Sequence, residues 1–387
     1  MAVSAVRRQA PAAQAEVAEL LAACAGEGGR ARVVGGGTKL GWGRPVADPD
    51  LEISTGGLDR IVEHNEGDFT AVLEAGVPLA RARDAFAASG QMLALDPPLG
   101  DGSAATVGGV IASGDSGPLR HRYGGPRDLI LGLTVALPDG TLARAGGRVI
   151  KNVAGYDLAK LNTGAFGTLG AVVQVAVRLH PLPKRTATTV VRSADLAALA
   201  RAAAAFAHAR LELQSLDARW GEGEGSVLAR GGGAAALEQA AAVAGLAREQ
   251  GLTAELVEED DKLWDAQRSA QRPGEGVVVR VSGVQSQLEA VWRVAETAGA
   301  TSVVTRVAAG ISYARLEAGT GATGAVERLR EALAPSPCVV LDAPAAVREA
   351  LDPWGVPEGA ELQLMRRLKA QFDPAATCNR GLYVGGI

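Results

Sequence analysis

Three clusters of glycine, at residues 33–43, 97–127 and 146–173, constrain this chain more than any other feature. Glycine has no Cβ, so it admits positive φ and lets another backbone or a flat ligand approach closely. The chain has 50 glycines in 387 residues. They follow no every-third period, which excludes a collagen-like helix. Long irregular stretches of this kind are uncommon unless they bind something.

The first cluster, VVGGGTKLGWG, follows the strand Arg32-Val33-Val34. Consecutive backbone N–H groups after a strand make a nest suited to a pyrophosphate. Two common phosphate motifs fail here. A Walker A loop needs Gly-Lys-Ser/Thr, but the order is Gly37-Thr38-Lys39. The dinucleotide fingerprint, counted from Gly35, puts Leu40 where its third glycine belongs. Taken alone, the cluster reads equally as an ordinary glycine-rich turn. The second cluster, PPLGDGSAATVGGVIASGDSGPLRHRYGGPR, adds Arg120, Arg122 and Arg127. Its other reading is a long surface loop with a solvated basic patch. The third, GGRVIKNVAGYDLAKLNTGAFGTLGAVV, turns into a short helix near Asp157 and then enters a strand. It too could be a structural hairpin. Together the three call for a ligand long enough to touch all of them, and FAD meets that description.

Periodicity supplies the frame around these clusters. Helices are expected at 12–25 and 76–88, and strands at 32–34, 51–54, 70–75 and 129–137. A hairpin turn falls at Pro138-Asp139-Gly140-Thr141, and a β-rich run at 168–180. The run Pro181–Arg185 reads as a linker. Beyond it, helices are expected at 196–213, 234–249, 291–300 and 325–334. Strands are expected at 226–230, 276–282 and 302–305. This is an α+β pattern of helices over an antiparallel sheet. A basic amphipathic helix at 361–371 precedes an extended stretch at 379–387. The acidic run Glu258–Asp261 is expected to be a solvated loop.

Composition narrows the partners. Lys+Arg 39 against Asp+Glu 43 gives a net charge of −4, and aromatic residues are 4%. Neither fits a nucleic-acid surface. Cys24, Cys338 and Cys378 form no CxxC pair, so no zinc or iron–sulfur site is expected. A reducing cytosol is the expected compartment. No signal-peptide pattern and no apolar run of about 18 residues is present, so no membrane span is expected.

At the glycine clusters the chain resembles the FAD-binding domain of the vanillyl-alcohol-oxidase superfamily, the PCMH-type fold. The order GGGTKLGWG, ATVGGVIASGDSG…RYGGPRD, KNVAGYDLAKLNTGAFGTLG carries the resemblance. The tail FDPAATCNRGLYVGG is similar to that family's closing element, with Arg380 standing where the family usually has Pro. The resemblance implies an α+β protein with a two-subdomain FAD-binding domain at 1–183. An α+β cap follows at 184–359, and a segment at 360–387 returns to the flavin. Within the superfamily the chain is most similar to the smaller FAD-binding subunit of bacterial glycolate oxidases. The larger flavin subunit carries an acidic residue where this chain has Phe166. That resemblance implies non-covalent FAD, a small 2-hydroxy-acid substrate, and a larger flavin subunit and an iron–sulfur subunit as partners. It places the complex in the cytoplasm, with peripheral association at the inner face of the membrane through those partners.

Carried over residue by residue, Gly35, Gly36, Gly37, Thr38, Lys39 and Leu40 would hold the pyrophosphate through main-chain N–H groups. Ala105, Thr106, Gly108, Gly109, Ser113 and Gly114 would line the adenosine and pyrophosphate side. Arg120, Tyr123 and Arg127 would add polar contacts. Gly167, Thr168, Leu169, Gly170 and Val172 would run past the flavin, and Asn379 would face its edge. Apart from the resemblance, Lys151 reads equally as a positive charge near the flavin N1 side or as a surface lysine. No catalytic residue is assigned. Of four histidines only His208 lies beyond residue 185, in an Ala-rich helix, so a cap metal site is not expected. His121 is the one histidine inside the second cluster and the one candidate for covalent attachment. Two other readings stay open: a stand-alone FAD-linked 2-hydroxy-acid dehydrogenase, and an assembly subunit with a vestigial flavin site.

Overall fold

The computed structural model describes residues 6–148, 157–272 and 274–387. The chain divides into two compact units. The first draws on Met1–Ser116, Gly124–Leu182 and Val356–Ile387, and the second on Gly117–Tyr123 and Pro183–Gly355.

In the first unit the helix Gln14–Gly26 buries Val17, Ala18, Leu21 and Cys24, a one-sided stripe. That stripe joins Leu51, Ile53 and Val173 in an apolar core. A parallel sheet runs in the order Arg7–Gln9, Leu51–Ser54, Ala31–Val34. A second, antiparallel sheet has the order Ile61–Asn65, Thr70–Glu74, Ala171–Arg178, Ile130–Ala136, Leu142–Gly146 among the described residues. The strand Thr70–Glu74 is buried along its whole length, so its sequence alternation does not mark a solvent face. The expected hairpin at 138–141 joins two paired strands.

In the second unit eight strands form one antiparallel sheet. Its order is Ala254–Val257, Thr186–Ser193, Glu224–Gly232, Ser215–Gly221, Ala300–Arg306, Ile311–Leu316, Val277–Ser282, Cys338–Asp342. Leu196–His208, Leu288–Thr297 and Ala322–Leu333 pack Leu199, Phe206, Trp292 and Leu329 onto one face of it. The α+β expectation holds.

Five local expectations are corrected. The second glycine cluster is not a surface loop: it holds the helix Val107–Ser113, with Val107, Val110 and Ile111 buried. The acidic run is not a solvated loop. Asp260 is buried and accepts hydrogen bonds from Thr186, Thr188 and Arg230, and Asp261 opens the helix Asp261–Ala270. The helix Leu196–His208 stops five residues before the expected end. In Ala360–Phe372 only Leu362 and Lys369 are buried, and Leu364 and Met365 stay exposed. The stretch after Asn379 is turns and a short 3-10 helix, Val384–Gly386, rather than extended chain.

Candidate functional site: a flavin cradle

The first glycine loop leaves the strand Ala31–Val34 and turns at Gly37, whose φ is +71°. Gly36 and Gly37 are exposed. Among the described residues, no acceptor takes the backbone N–H of Gly35, Gly36, Gly37 or Lys39. A short row of unpaired N–H groups in such a turn is an anion nest. Leu40 is exposed beside it at 51%. The Lys39 ammonium is already engaged, 3.2 Å from Asp115 and 5.5 Å from the Trp42 ring centroid. The loop therefore offers main-chain donors rather than a free lysine.

The second segment packs against the first so tightly that side chains are barred. A Cβ on Gly36 would overlap the Ala104 carbonyl oxygen, and one on Gly35 would overlap the Thr106 hydroxyl. The donors of this segment are committed elsewhere. Ala105 N donates to Leu99 O at 3.0 Å, Gly108 N to Ala75 O at 2.8 Å, and Gly109 N to the Thr106 hydroxyl at 3.2 Å. Ala105, Thr106 and Gly108 are buried. These residues give the nest its floor and wall. Ser113 is also buried and donates to Val110 O, and Gly114 caps the helix in the left-handed region. Arg127 is exposed.

The third segment docks on the second through Gly164 N to Ile111 O at 3.0 Å and Phe166 N to Ala112 O at 2.8 Å. Thr168, Leu169, Gly170 and Val172 are buried. Val172 belongs to the strand Ala171–Arg178, opposite Val135. Gly167 remains half-buried at the rim. Asn379 donates from its amide to Phe166 O at 2.6 Å. Its amide nitrogen would stand 3.0 Å from a Cβ on Gly167. Lys151 and the rest of 149–156 lie outside the described residues.

Sequence reasoning missed two features that close this cradle. One is an aromatic trio: Phe166 stacks on Tyr383 at 5.5 Å and lies 6.3 Å from Trp42. These residues are scattered over the chain, and no spacing rule links them. The other is Lys369, 7% exposed, which donates to Thr168 O at 2.6 Å and Cys378 O at 2.8 Å and pairs with Asp373 at 2.6 Å. Asp373 in turn accepts from Thr377 N and Cys378 N. The i, i+4 Lys–Asp spacing was the available signal, but it reads as an ordinary surface pair. Gly35–Lys39, Val107–Gly114, Phe166–Thr168 and the tail thus meet in one place, within one unit.

Arg120 and Tyr123 belong to the second unit. There the Tyr123 hydroxyl donates to Gln214 at 2.6 Å, and burial pushes its pKa up. Among the described residues His121 Nδ1 is buried without a hydrogen-bond partner, and burial, together with Arg122, pulls its pKa down. His208 is exposed, with Nδ1 2.8 Å from the Ala204 carbonyl one turn earlier.

The nest, its wall and its rim suit a diphosphate-bearing cofactor, and comparison with known proteins decides which. Residues 8–146 match the family model described as FAD binding domain. The chain carries an FAD-binding domain. Over 152 residues it is 36% identical to glycolate oxidase subunit GlcE of Escherichia coli, covering 39% of this chain and 43% of that protein. Over 193 residues it is 33% identical to glycolate oxidase subunit GlcD of Bacillus subtilis, covering 49% and 40%. The match thus spans less than half the length of these relatives. Among solved structures, an alkyldihydroxyacetonephosphate synthase superposes with a TM-score of 0.70 at 14% identity, covering 96% of this chain and 76% of that one. That likeness shows the fold, the PCMH-type α+β architecture. The FAD-binding domain matched by the family model contains the first and second glycine segments. Phe166, Lys369 and Asn379 join them from outside the matched residues.

Proposed function

We propose that this chain is the FAD-binding subunit of a glycolate-oxidase-type complex. It takes part in oxidising glycolate or a related 2-hydroxy acid to the 2-oxo acid, passing electrons through its flavin to an iron–sulfur partner. The observation that carries the reading is the cradle itself: free main-chain donors at Gly35–Gly37 enclosed by two further glycine segments and a returning tail. The likeness to two proteins named glycolate oxidase subunits supplies the substrate class.

FAD would lie with its diphosphate against the N–H groups of Gly35, Gly36, Gly37 and Lys39. Bound there, it supplies hydride acceptance and onward electron transfer. Val107–Gly114 shapes the wall, and Phe166 and Asn379 hold the rim. The cytoplasm, at the inner face of the membrane through partners, is the proposed setting. Among the described residues, no helix is long and apolar enough to cross a membrane.

The test has two parts. Acid release and chromatography of the bound flavin should give FAD, and FMN would overturn the cradle assignment. Steady-state dye reduction with glycolate and D-lactate should be at least tenfold slower per flavin for the isolated chain than for the complex with its partners. Equal rates would replace this reading with a stand-alone dehydrogenase. Absence of any bound flavin would favour a vestigial site.

A further inference from the structure

Phe166 stands where local sequence preference does not want it. Thr168 N donates to Ala165 O at 3.0 Å, which closes a tight turn over 165–168. The two central residues, Phe166 and Gly167, have φ of +54° and +66°. Positive φ at both central positions is the type I′ pattern, which Gly, Asn and Asp dominate. Gly167 meets that demand and Phe166 does not. A bulky residue in the left-handed region is an outlier. Such strain persists only where the surroundings over-determine it, and it clusters at ligand clamps and active sites.

The fold holds Phe166 in this state from both sides. Its N–H donates to Ala112 O at 2.8 Å, and its carbonyl accepts from the Asn379 amide at 2.6 Å. Asn379 is itself left-handed, with φ of +43°. The result is a fixed ring that stacks on Tyr383, with centroids 5.5 Å apart and planes 30° apart. Trp42, the third ring, is buried, whereas Phe166 and Tyr383 are both half-buried. The strained pair thus keeps aromatic surface open at the rim of the cradle.

The main chain beside the rings offers donors. Among the described residues, no acceptor takes the backbone N–H of Gly167, Arg380 or Gly381. A flat apolar surface flanked by donors suits a planar ring whose edge carries acceptors. FAD has two flat rings. Isoalloxazine has an apolar dimethylbenzene end and a pyrimidine edge with two carbonyl oxygens. Adenine has no carbonyl, and it presents an amino donor that N–H groups cannot accept.

We infer that Phe166 and Tyr383 form a stacking platform that takes the isoalloxazine ring of FAD by its face, with the N–H groups of Gly167, Arg380 and Gly381 available to the polar edge. The left-handed backbone of Phe166 is what sets its ring there. The inference rests on the reading of the cradle as an FAD site and is independent of which acid is oxidised.

The experiment is binding, not turnover. FAD and ADP are titrated by calorimetry against the full chain stripped of its flavin. ADP carries the diphosphate and adenosine without the isoalloxazine ring, so it reports the nest without the platform. The wild-type chain should bind FAD more tightly than ADP. Phe166→Asn removes the ring and keeps a residue that tolerates the left-handed region. It should weaken FAD at least about tenfold, the scale of one lost stacking contact, and leave ADP unchanged. Phe166→Tyr should retain FAD affinity. Tyr383→Leu should also weaken FAD and spare ADP, and it decides the matter if Phe166→Asn does not fold. Unchanged FAD affinity in the folded variants overturns the platform. Equal losses of FAD and ADP overturn it too, because the rings would then serve the nest or the adenine. Equal wild-type affinities for FAD and ADP overturn the platform and leave the nest standing. A wild-type chain that binds neither sinks the cradle reading as well.

Discussion

At Gly36 the decisive contact is with the protein rather than with a ligand. The Ala104 carbonyl occupies the place a Cβ would take. Gly36→Ala should therefore loosen the first glycine loop from its wall. Overpacking of this kind costs about 1–3 kcal/mol. Both the thermal midpoint and the bound-flavin absorbance should fall. Gly41 is the control, because a Cβ there meets nothing within 4 Å. Gly41→Ala should leave both readings unchanged, and wild-type behaviour of Gly36→Ala would refute the packing argument. His121 gives a second prediction. Burial and the Arg122 charge hold its folded pKa below the ordinary 6.5. On acidification the unfolded chain takes the proton first, so this contribution is complete above that value and shrinks as pH falls below it. Denaturant midpoints measured on either side of that value should show the loss, and His121→Gln should flatten it. An equal slope in the variant would mean that other groups carry it. The glycines were legible as places of close approach because composition alone marks them. Which partner approaches was not legible, since a ligand and a neighbouring backbone leave the same trace in sequence.

Element boundaries followed from periodicity where one face of an element is buried, as in Gln14–Gly26. They failed where polar residues are buried. Asp260 looked solvated because it sits among acidic neighbours, yet the fold supplies Arg230, Thr186 and Thr188 from strands 30 to 74 residues away. Local charge patterning cannot register partners at that separation. The helix Ala360–Phe372 shows the same lesson with a testable consequence. Lys369 and Asp373 form a buried pair that also holds Thr168 and Cys378. Removing one member of a buried pair typically costs about 3–5 kcal/mol. Lys369→Met should lower the urea midpoint accordingly and speed flavin release, because the tail and the third glycine segment lose their tie. A wild-type urea midpoint would show the pair to be dispensable.

For the molecule as a whole, the α+β class was legible in the periodicity of its helices and strands, and the cofactor in three glycine segments that fall in a fixed order. The second unit's polar sheet face was not, because Asp217, Arg280, Arg306 and Tyr313 meet only through strand register. The first unit takes residues from both sides of the second, and Val356–Ile387 completes it. Synthesis therefore makes Pro183–Gly355 before Lys369, Asp373 and Asn379. The second unit has every residue it needs while the cradle still lacks its closing tie, and domains tend to fold as they emerge. A flavin loaded onto a nascent chain arrested near residue 355 should wash off readily. Retention should appear only once translation has passed the tail, so that cofactor capture waits on that segment rather than on the glycine loops alone.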